Sequence, residues 1–374
     1  MNSENNLYVK QYHLVLRGTP REMGRQQGAM IKDIPQAVAF FASGPFPGTS
    51  APVDSSLKLI DKYCPGMIDE MTGFCEAAGF ELERLAYLAM THIGGKHCSQ
   101  FVVLPESSAN GHTLVGRNYD FSEKVDDMKL TTVFPTGGYA SFGFPTLFFG
   151  RNDGLNEHGL SVTMTAGGMP VGIDRGMQPP IQNGLQFWAL VRTILDTCKT
   201  VDEAEECIAR FPCAGNPILI VADKSGKAIM AEIHGPDKKI ICINGGSGYQ
   251  AATNHYQSPE MRAIDPTTMN HSMTRLTSIN RFLADNAGKV TLDGMKNLLA
   301  TRYPAGPCAH FYSEWFGTLH SLVFDVTDGY GEVTFGSPAV NPWHRFDFID
   351  PKPGEFDSIL PDNHTTPDFW APVS

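Results

Sequence analysis

One cysteine stands where the character of the sequence changes. In "GGKHCSQFVV", Cys98 follows a helical pattern that ends in two glycines, and strand-forming residues come after it. A thiol at the head of a strand, directly behind a flexible break, is a candidate nucleophile. The alternative is that Cys98 is a small buried hydrophobic residue, which is the usual role of a free cysteine.

A predicted hairpin brings an arginine and a carboxylate close to this thiol. "CSQFVVL" and "HTLVGRNYDF" have strand composition, and "PESSANG" between them has turn composition. When the two strands are paired up to the ends of this loop, Cys98 lies opposite Asn118. Arg117 and Asp120 then lie beside the thiol, where a guanidinium favours the thiolate. Alternatively, these two residues form a surface ion pair in a turn.

Cleavage of the chain just before Cys98 would give this residue a second function. If the bond between His97 and Cys98 is cut, Cys98 carries a free α-amino group, whose pKa is about 8. One residue then supplies both nucleophile and base, which is the arrangement of N-terminal amine catalysis. Asp120 would hold the amine, and Gly94 and Gly95 would let the leader move away.

The elements that must position these residues alternate between helical and strand blocks. Thr19 and Glu22 form a predicted capping box at the first helix, and Thr200 and Glu203 form another. Further helices are predicted over 55–91, 185–210, 272–285 and 291–301, and the intervening segments have strand patterns. "GLNEHGLSVTMT" belongs to a predicted hairpin with Asp153-Gly154 in a turn. This order predicts an α+β sandwich with antiparallel sheets rather than alternating βαβ units.

Composition restricts the class of partner. The formal net charge is −11, and it is spread along the chain, which argues against nucleic acid and anionic membranes as partners. No apolar run is long enough to span a bilayer, and "MNSENNLYVK" lacks the pattern of a signal peptide. The scattered cysteines have no metal-site spacing and predict reduced thiols in a cytoplasmic protein. Seven of them are expected to pack in the core: Cys64, Cys75, Cys198, Cys207, Cys213, Cys242 and Cys308.

The motifs around Cys98 resemble those of a known family. The chain resembles the cysteine N-terminal nucleophile (Ntn) hydrolases: the acyl-coenzyme A:isopenicillin N acyltransferase family and, more distantly, the choloylglycine hydrolases. The resemblance rests on motifs that occur in the family's order over nearly the whole chain. They are "GTPREMGRQQG", "GFCEAAGFELERLAYLAM", "CSQF", "GRNYDF", "GLNEHGLSV", "ATNHY", "HSMTRL" and "GTLHSLVFD".

The resemblance implies a fold and a set of site residues. The fold is a four-layer αββα sandwich, with residues 1–97 as a helical leader retained on a core of residues 98–374, in one structural domain. Cys98 is the nucleophile, flanked by Arg117 and Asp120, and Asn254 resembles a side-chain oxyanion donor. The remaining implied residues are Arg275 as a distal supporting arginine and a backbone amide near Thr165 or Ala166 as the second oxyanion donor. From the residues alone, Asn254 could also be a residue that caps a loop, and Arg275 alone indicates a solvated helix position.

The implied activity is hydrolysis of a linear amide C–N bond in a small molecule through an acyl-cysteine thioester, without a cofactor or a metal. Two alternatives stay open: an acyltransferase that uses an amine or a coenzyme A thioester, and an unprocessed relative without catalysis. The oligomeric state, including a homo-oligomer, also stays open. The family usually has Gly before and Thr after the nucleophile, whereas this chain has His97 and Ser99. Histidine has a more restricted backbone than glycine, so we expect cleavage to be slow or to use His97 as a proton donor.

Overall fold

The computed structural model describes residues 5–43, 53–85, 97–146, 148–169, 184–244 and 246–373. The helices in these ranges fall into one group before Cys98 and another after it. They are α1 (Pro20–Ile31), α2 (Pro35–Phe41), α3 (Val53–Tyr63), α4 (Met67–Ala78), α5 (Phe187–Thr197), α6 (Val201–Arg210), α7 (Pro259–Ile264), α8 (Asn270–Asp285) and α9 (Leu292–Ala300).

Strands fill most of the chain between and after these helices. They are β1 (Asn5–Gly18), β2 (His97–Val103), β3 (Leu114–Phe121), β4 (Lys129–Pro135), β5 (Ser141–Gly143), β6 (Pro145–Thr146), β7 (Gly150–Arg151), β8 (Asp153–Asn156), β9 (Leu160–Ala166), β10 (Pro217–Asp223), β11 (Ala228–His234), β12 (Asp237–Cys242), β13 (Tyr249–Ala252), β14 (His310–Phe311), β15 (Phe316–Asp325), β16 (Tyr330–Phe335), β17 (Trp343–Phe346) and β18 (Gly354–Asp362).

Most of the described strands form two large sheets, and β6 and β7 pair only with each other. The nine-stranded sheet has the order β12-β11-β10-β9-β8-β5-β4-β1-β18. The seven-stranded sheet has the order β13-β2-β3-β15-β16-β17, with β14 beside β15. Their strand pairs are antiparallel, as predicted, except that β1 pairs with β4 in parallel. Cys98 is therefore near the head of a strand next to one edge of the smaller sheet.

Three apolar layers join the sheets and helices. The first lies between the nine-stranded sheet and the helices on its outer face, where Leu190 of α5 and Val162 of β9 belong to one cluster. The second lies between the two sheets and contains Ile220 of β10 and Leu322 of β15. The third contains Ile279 of α8 and covers the outer face of the seven-stranded sheet. The layers therefore follow one another as helix, sheet, sheet, helix, which confirms the predicted αββα sandwich.

We predicted a helical leader for residues 1–97, but the segment before Cys98 also contains a strand. Its first described residues form β1, which lies between β4 and β18 in the nine-stranded sheet. Gln11 and His13 on this strand are buried, whereas Tyr12 between them is exposed. This alternation is that of a strand with one covered face. Residues Asn5–Gly18 of the predicted leader are therefore part of the larger sheet.

Most of the predicted helices are confirmed. α1 begins with the predicted capping box of Thr19 and Glu22, and α8 and α9 cover the segments predicted as 272–285 and 291–301. The predicted helix over 185–210 is divided into α5 and α6, where Thr200 caps α6 by accepting a hydrogen bond from Glu203. The predicted helical residues 86–91 and the Gly94–Gly95 break lie outside the described residues.

Two of the cysteines differ from the predicted packing role. Cys242, in the edge strand β12, is exposed, and Cys207 is partly exposed. The other five of that group are buried. No helix of the described ranges is long and apolar enough to cross a membrane.

Candidate active site

The hairpin that carries Cys98 is paired one residue away from the predicted register. The β2–β3 ladder places Cys98 opposite Tyr119 and His97 opposite Asp120. The prediction of Asn118 opposite Cys98 is therefore wrong. A shift of one residue matters because it moves every side chain of a strand to the other face of the sheet.

The register differs because the ladder ends before the loop. The carbonyl of Leu104 accepts a hydrogen bond from the amide of Ser107, at 2.9 Å, and so belongs to the turn. The carbonyl of Thr113 accepts a hydrogen bond from the amide of Val326, also at 2.9 Å. Both residues thus use their main-chain groups outside the β2–β3 pair, which composition alone does not reveal.

In the observed register, Arg117 reaches the thiol from the same face of the sheet. Its Nη2 donates to Cys98 Sγ at 3.2 Å, and its Nε donates to the Met164 carbonyl at 2.9 Å. Its Nη1 donates to Asp153 Oδ2. Burial disfavours the charge of Arg117, but the Cys98 sulfur and Asp153 raise the pKa of this guanidinium above its ordinary value. The site therefore combines a sulfur with a permanently charged donor.

Asp153 is a residue of this site that the sequence reasoning missed. We assigned it to a turn, but it is the first residue of β8 and is fully buried. Its Oδ1 accepts a hydrogen bond from the Phe144 amide at 2.9 Å, and His320 Nε2 lies 3.5 Å from its Oδ2. Burial opposes its charge, yet Arg117 and His320 lower the pKa of Asp153. One general rule could have indicated that Arg117 has such a partner: a buried arginine requires a carboxylate near it.

Asn254 and Arg275 bind the main chain of Cys98. The β13–β2 ladder ends with Ala252 opposite Gln100, and continuing this register places Asn254 beside Cys98. The Cys98 nitrogen donates to Asn254 Oδ1 at 3.3 Å, and Arg275 Nη1 donates to the Cys98 carbonyl at 2.8 Å. Arg275 Nη2 also donates to Asn254 Oδ1, at 2.5 Å.

Asp120 lies on the other face, opposite His97 and close to the predicted cleavage bond. Its Oδ2 is 3.2 Å from Arg275 Nη1, and its Oδ1 accepts a hydrogen bond from the Thr318 hydroxyl at 2.6 Å. Burial raises the pKa of Asp120 to about 6, against the opposing effects of Arg275 and Thr318. Asp120 and Arg275 are both fully buried, so neither a surface ion pair nor a solvated helix position describes them.

The predicted oxyanion segment also reaches Cys98, and it comes from the opposite sheet. The Thr165 hydroxyl donates to the Cys98 carbonyl at 3.3 Å. Asn254 Nδ2 donates to the Thr165 hydroxyl at 2.8 Å and to the Ala166 carbonyl at 3.0 Å. Here the contact of this segment with Cys98 is made by a side-chain hydroxyl, whereas the prediction concerned a backbone amide.

His97 lies in an aromatic environment. Its ring is stacked on Phe316, with 4.6 Å between the ring centroids, and meets His271 and Trp370 edge-on at 5.4 and 5.3 Å. Burial, with a further contribution from Arg275, lowers the pKa of His97 to about 3. His97 is therefore neutral near pH 7, so as the predicted proton donor it would have to act from its neutral imidazole.

One group of described residues could hold a cation, and it lies away from the thiol. His112, Asp325 and Asp328 have ligand atoms within 4.8 Å of one another. Asp325 pairs with Leu114 at the opposite end of β3 from the residues that surround Cys98. A cation bound there would not contact the candidate nucleophile.

The sequence comparisons connect this arrangement with a family. A sequence model described as acyl-coenzyme A:6-aminopenicillanic acid acyl-transferase (AAT) matches residues 107–340, which is more than half of the chain. The chain belongs to the AAT family. The AAT match includes Arg117, Asp120, Asn254 and Arg275, and Cys98 lies just before it. The predicted resemblance to this acyltransferase family is confirmed.

Other similarities are more distant. An uncharacterized protein of Archaeoglobus fulgidus is 21% identical over 369 residues, and the alignment covers 81% of this chain and 59% of that protein. The chain thus spans less than two thirds of the length of this relative.

Among solved structures, a mutant of conjugated bile acid hydrolase from Clostridium perfringens has a TM-score of 0.45 and 12% identity, covering 72% of this chain and 99% of that one. Penicillin V acylase from Agrobacterium tumefaciens has a TM-score of 0.47 and 16% identity, and the match covers 68% of this chain and 87% of that one. A Caenorhabditis elegans ortholog of N-acylethanolamine-hydrolyzing acid amidase has a TM-score of 0.43 and 15% identity. This match covers 62% of this chain and 93% of that one.

Proposed function

We propose that this protein is a self-processing amidase that hydrolyses a linear amide C–N bond of a small molecule through a thioester on Cys98. The observation that carries the proposal is the set of contacts around this residue. Arg117 binds its sulfur, and Asn254 and Arg275 bind its main chain. A cysteine that only filled space in the core would not require two buried arginines, because each of them is costly to desolvate.

The first step is cleavage of the chain between His97 and Cys98. The Cys98 sulfur attacks the His97 carbonyl carbon, the C–N bond breaks, and the acyl group moves from nitrogen to sulfur. Water then hydrolyses this thioester, which leaves a carboxylate on His97 and an amine on Cys98. Asn254 Oδ1, which already accepts from the Cys98 nitrogen, is in position to accept a hydrogen bond from this amine.

Turnover repeats the same chemistry on an external amide. The amine accepts the thiol proton while the sulfur attacks the substrate carbonyl, and it later returns a proton to the leaving nitrogen. Asn254 Nδ2 and a backbone amide near Thr165 or Ala166 stabilise the oxyanion, and one such donor contributes about 3 kcal/mol. For this, Asn254 must exchange one of its present contacts, to Thr165 or Ala166, for the oxyanion. Water releases the acyl group.

Arg117 and Asp120 support these steps from opposite faces of the sheet. Arg117 stabilises a negative charge on the sulfur, because its guanidinium remains protonated at any relevant pH. Asp120 lies opposite His97 and is bound to Arg275, so after cleavage it would hold the ammonium form of the new terminus. Because the pKa of Asp120 is about 6, it is mostly ionised at pH 7.

An acyltransferase is the second candidate, and the description of the matched family favours it. The same acyl-Cys98 intermediate would then react with an amine instead of water, or it would form from a coenzyme A thioester. The two functions share the acyl-Cys98 thioester. They differ only in which molecule donates the acyl group and which molecule accepts it.

A substrate screen tests the proposal. The purified protein is incubated with acylated amino acids, amides with β-lactam side chains and bile-acid conjugates, and free amine is measured. Mass spectrometry after acid quenching should find the acyl group on Cys98. Release of the acid in water supports the amidase, whereas an acyl group passed to added amine or coenzyme A at a higher rate than to water supports the acyltransferase.

Alkylation of the thiol provides the matched control. Labelling of Cys98 should abolish activity, and labelling of the exposed Cys242 should not. A Cys242→Ala variant, which removes the competing exposed thiol, should therefore behave like the wild type. Full activity after complete labelling of Cys98 would contradict the proposal.

A further inference from the structure

Two cysteines far from Cys98 in the chain face each other where two helices meet. Cys198 directly follows α5 as its C-cap residue, and Cys207 lies in α6. The chain reverses at the short connection between these helices, and both cysteines line the same surface cavity there. We had assigned both residues to core packing, but Cys207 is partly exposed.

Both thiols line one cavity at the protein surface. It has a volume of about 440 Å³ and is also bordered by Lys62, Tyr63 and Arg210. Cys198 is only 4% exposed overall, so this cavity is how a small reagent would reach its sulfur. The volume is in the range of sites that admit small ligands, about 300–1,000 Å³.

The two sulfur atoms are not equivalent. The hydrogen bond from Cys207, the largest effect, lowers the pKa of Cys198, and Thr197 contributes through a second hydrogen bond. The same contact with Cys198 raises the pKa of Cys207. Cys198 is therefore the better candidate for the attacking thiolate, and Cys207 for the second, resolving thiol.

We propose that Cys198 and Cys207 form a redox-active dithiol that closes to a disulfide on reaction with a low-molecular-weight disulfide such as glutathione disulfide. The Cys198 thiolate attacks one sulfur of that molecule, and a thiolate leaves as the mixed disulfide forms. Cys207 then loses its proton and attacks the Cys198 sulfur, which releases the second thiol. The protein dithiol is oxidised by two electrons, and the small disulfide is reduced to two thiols.

This dithiol belongs to a different layer from the candidate active site. Both helices are in the layer that covers the outer face of the nine-stranded sheet, whereas Cys98 lies in the other sheet. The reaction can therefore be measured in a Cys98→Ala variant, in which the candidate nucleophile does not contribute. A failure of the proposed amidase function would leave the result unaffected.

The test is oxidation of the reduced full-length protein with glutathione disulfide, followed by N-ethylmaleimide and peptide mass spectrometry. We expect a cross-linked peptide that joins residues 198 and 207, lighter by two hydrogens, and loss of N-ethylmaleimide labelling at both positions. A reductant should restore the labelling. The inference is wrong if both cysteines keep their labelling after oxidation, or if a mixed disulfide persists on either one without a cross-link.

Single variants test the order of the two steps. Cys207→Ser should retain one equivalent of glutathione on Cys198, because the resolving thiol is missing. In Cys198→Ser, glutathione disulfide should modify Cys207 at least tenfold more slowly than it modifies Cys198 in Cys207→Ser. The exposed Cys242 serves as the control for a thiol that forms a mixed disulfide but no cross-link. If Cys207→Ser keeps its thermal unfolding temperature but gains no adduct at Cys198, the proposed attack by Cys198 is contradicted.

Discussion

At Cys98, the side chain and the main chain are bound by different arginines. Arg117 contacts the sulfur, and Arg275 contacts the carbonyl oxygen. Each arginine is buried with its own carboxylate, Asp153 for Arg117 and Asp120 for Arg275. The charge that would activate the thiol is therefore separate from the charge that would orient the new terminus.

Asp153 offers a test of the first of these pairs. Asp153→Asn leaves the charge of Arg117 buried without its counter-charge, and breaking a buried pair in this way costs about 3–5 kcal/mol. Denaturant unfolding should show this decrease in the free energy of unfolding. The control is Asp202→Asn, which removes the exposed ion pair with Lys227 and should cost no more than about 1 kcal/mol. Equal effects of the two variants would contradict the role assigned to Asp153.

Asp120 makes a prediction about pH. Its pKa is raised from 3.8 to about 6, mainly by burial, so the folded protein binds more protons than the unfolded chain between these values. The contribution of Asp120 to stability is therefore present below pH 4 and lost as the pH rises through 6. Activity requires the ionised form and should change in the opposite direction, falling as the pH drops below about 6. A pH–rate profile of kcat/KM that stays flat down to pH 4.5 would contradict this role.

The residues of the site could be predicted only in part. Arg117 and Asp120 were found from the predicted hairpin with Cys98, and Asn254 and Arg275 were found from motif order. The structure brings all five together. Their partners Asp153, Thr318 and His320 were missed. These come from other strands, and nothing local in "GRNDG" or "GTLHS" reveals which distant charge they will meet.

At the scale of elements, α1 and α4 are in close contact through glycines. A Cβ on Gly24 would lie 1.9 Å from the carbonyl oxygen of Glu70, and one on Gly73 would lie 2.0 Å from that of Arg21. Both atoms belong to backbone, so neither can move without moving a helix. The close contact of the two helices therefore requires glycine at the first position of the motif "GRQQG".

Gly24→Ala tests this contact. Because α1 and α4 must separate to admit the methyl group, we expect the free energy of unfolding to fall by about 1–3 kcal/mol. The midpoint of urea unfolding measures it. Gly246→Ala is the matched control, since its nearest neighbour, the Ile243 carbonyl oxygen, would be 3.6 Å from the new Cβ. Identical midpoints for the two variants would show that the helices can adapt to the methyl group.

Elements with strong local signals were predictable, and long-range pairings were not. The predicted capping residues Thr19 and Thr200 located the starts of α1 and α6, although only Thr19 forms a complete capping box. In contrast, β18 pairs with β1 across more than 340 positions of the chain, and β1 pairs with β4 in parallel. The register of β2–β3 depended on hydrogen bonds made by Thr113 and Leu104 outside the hairpin. Such pairings are decided by the whole sheet rather than by composition.

At the scale of the molecule, the position of β1 determines what cleavage would do. β1 is bonded on both sides, to β18 and to β4, within the nine-stranded sheet. We therefore expect the fragments 1–97 and 98–374 to remain associated after the His97–Cys98 bond is cut. Size-exclusion chromatography in buffer should give one peak that contains both fragments, and denaturant should separate them. Free 1–97 fragment in native buffer would contradict this expectation.

The intact mass of the purified protein tests the central claim most directly. If the account is correct, the wild type gives fragments of 97 and 277 residues, which together make up the 374-residue chain, and Cys98→Ala gives only the full-length chain. The same preparation should be catalytically active. An active wild type that consists only of uncleaved 374-residue chains would contradict the account, as would a Cys98→Ala variant that is cleaved after His97.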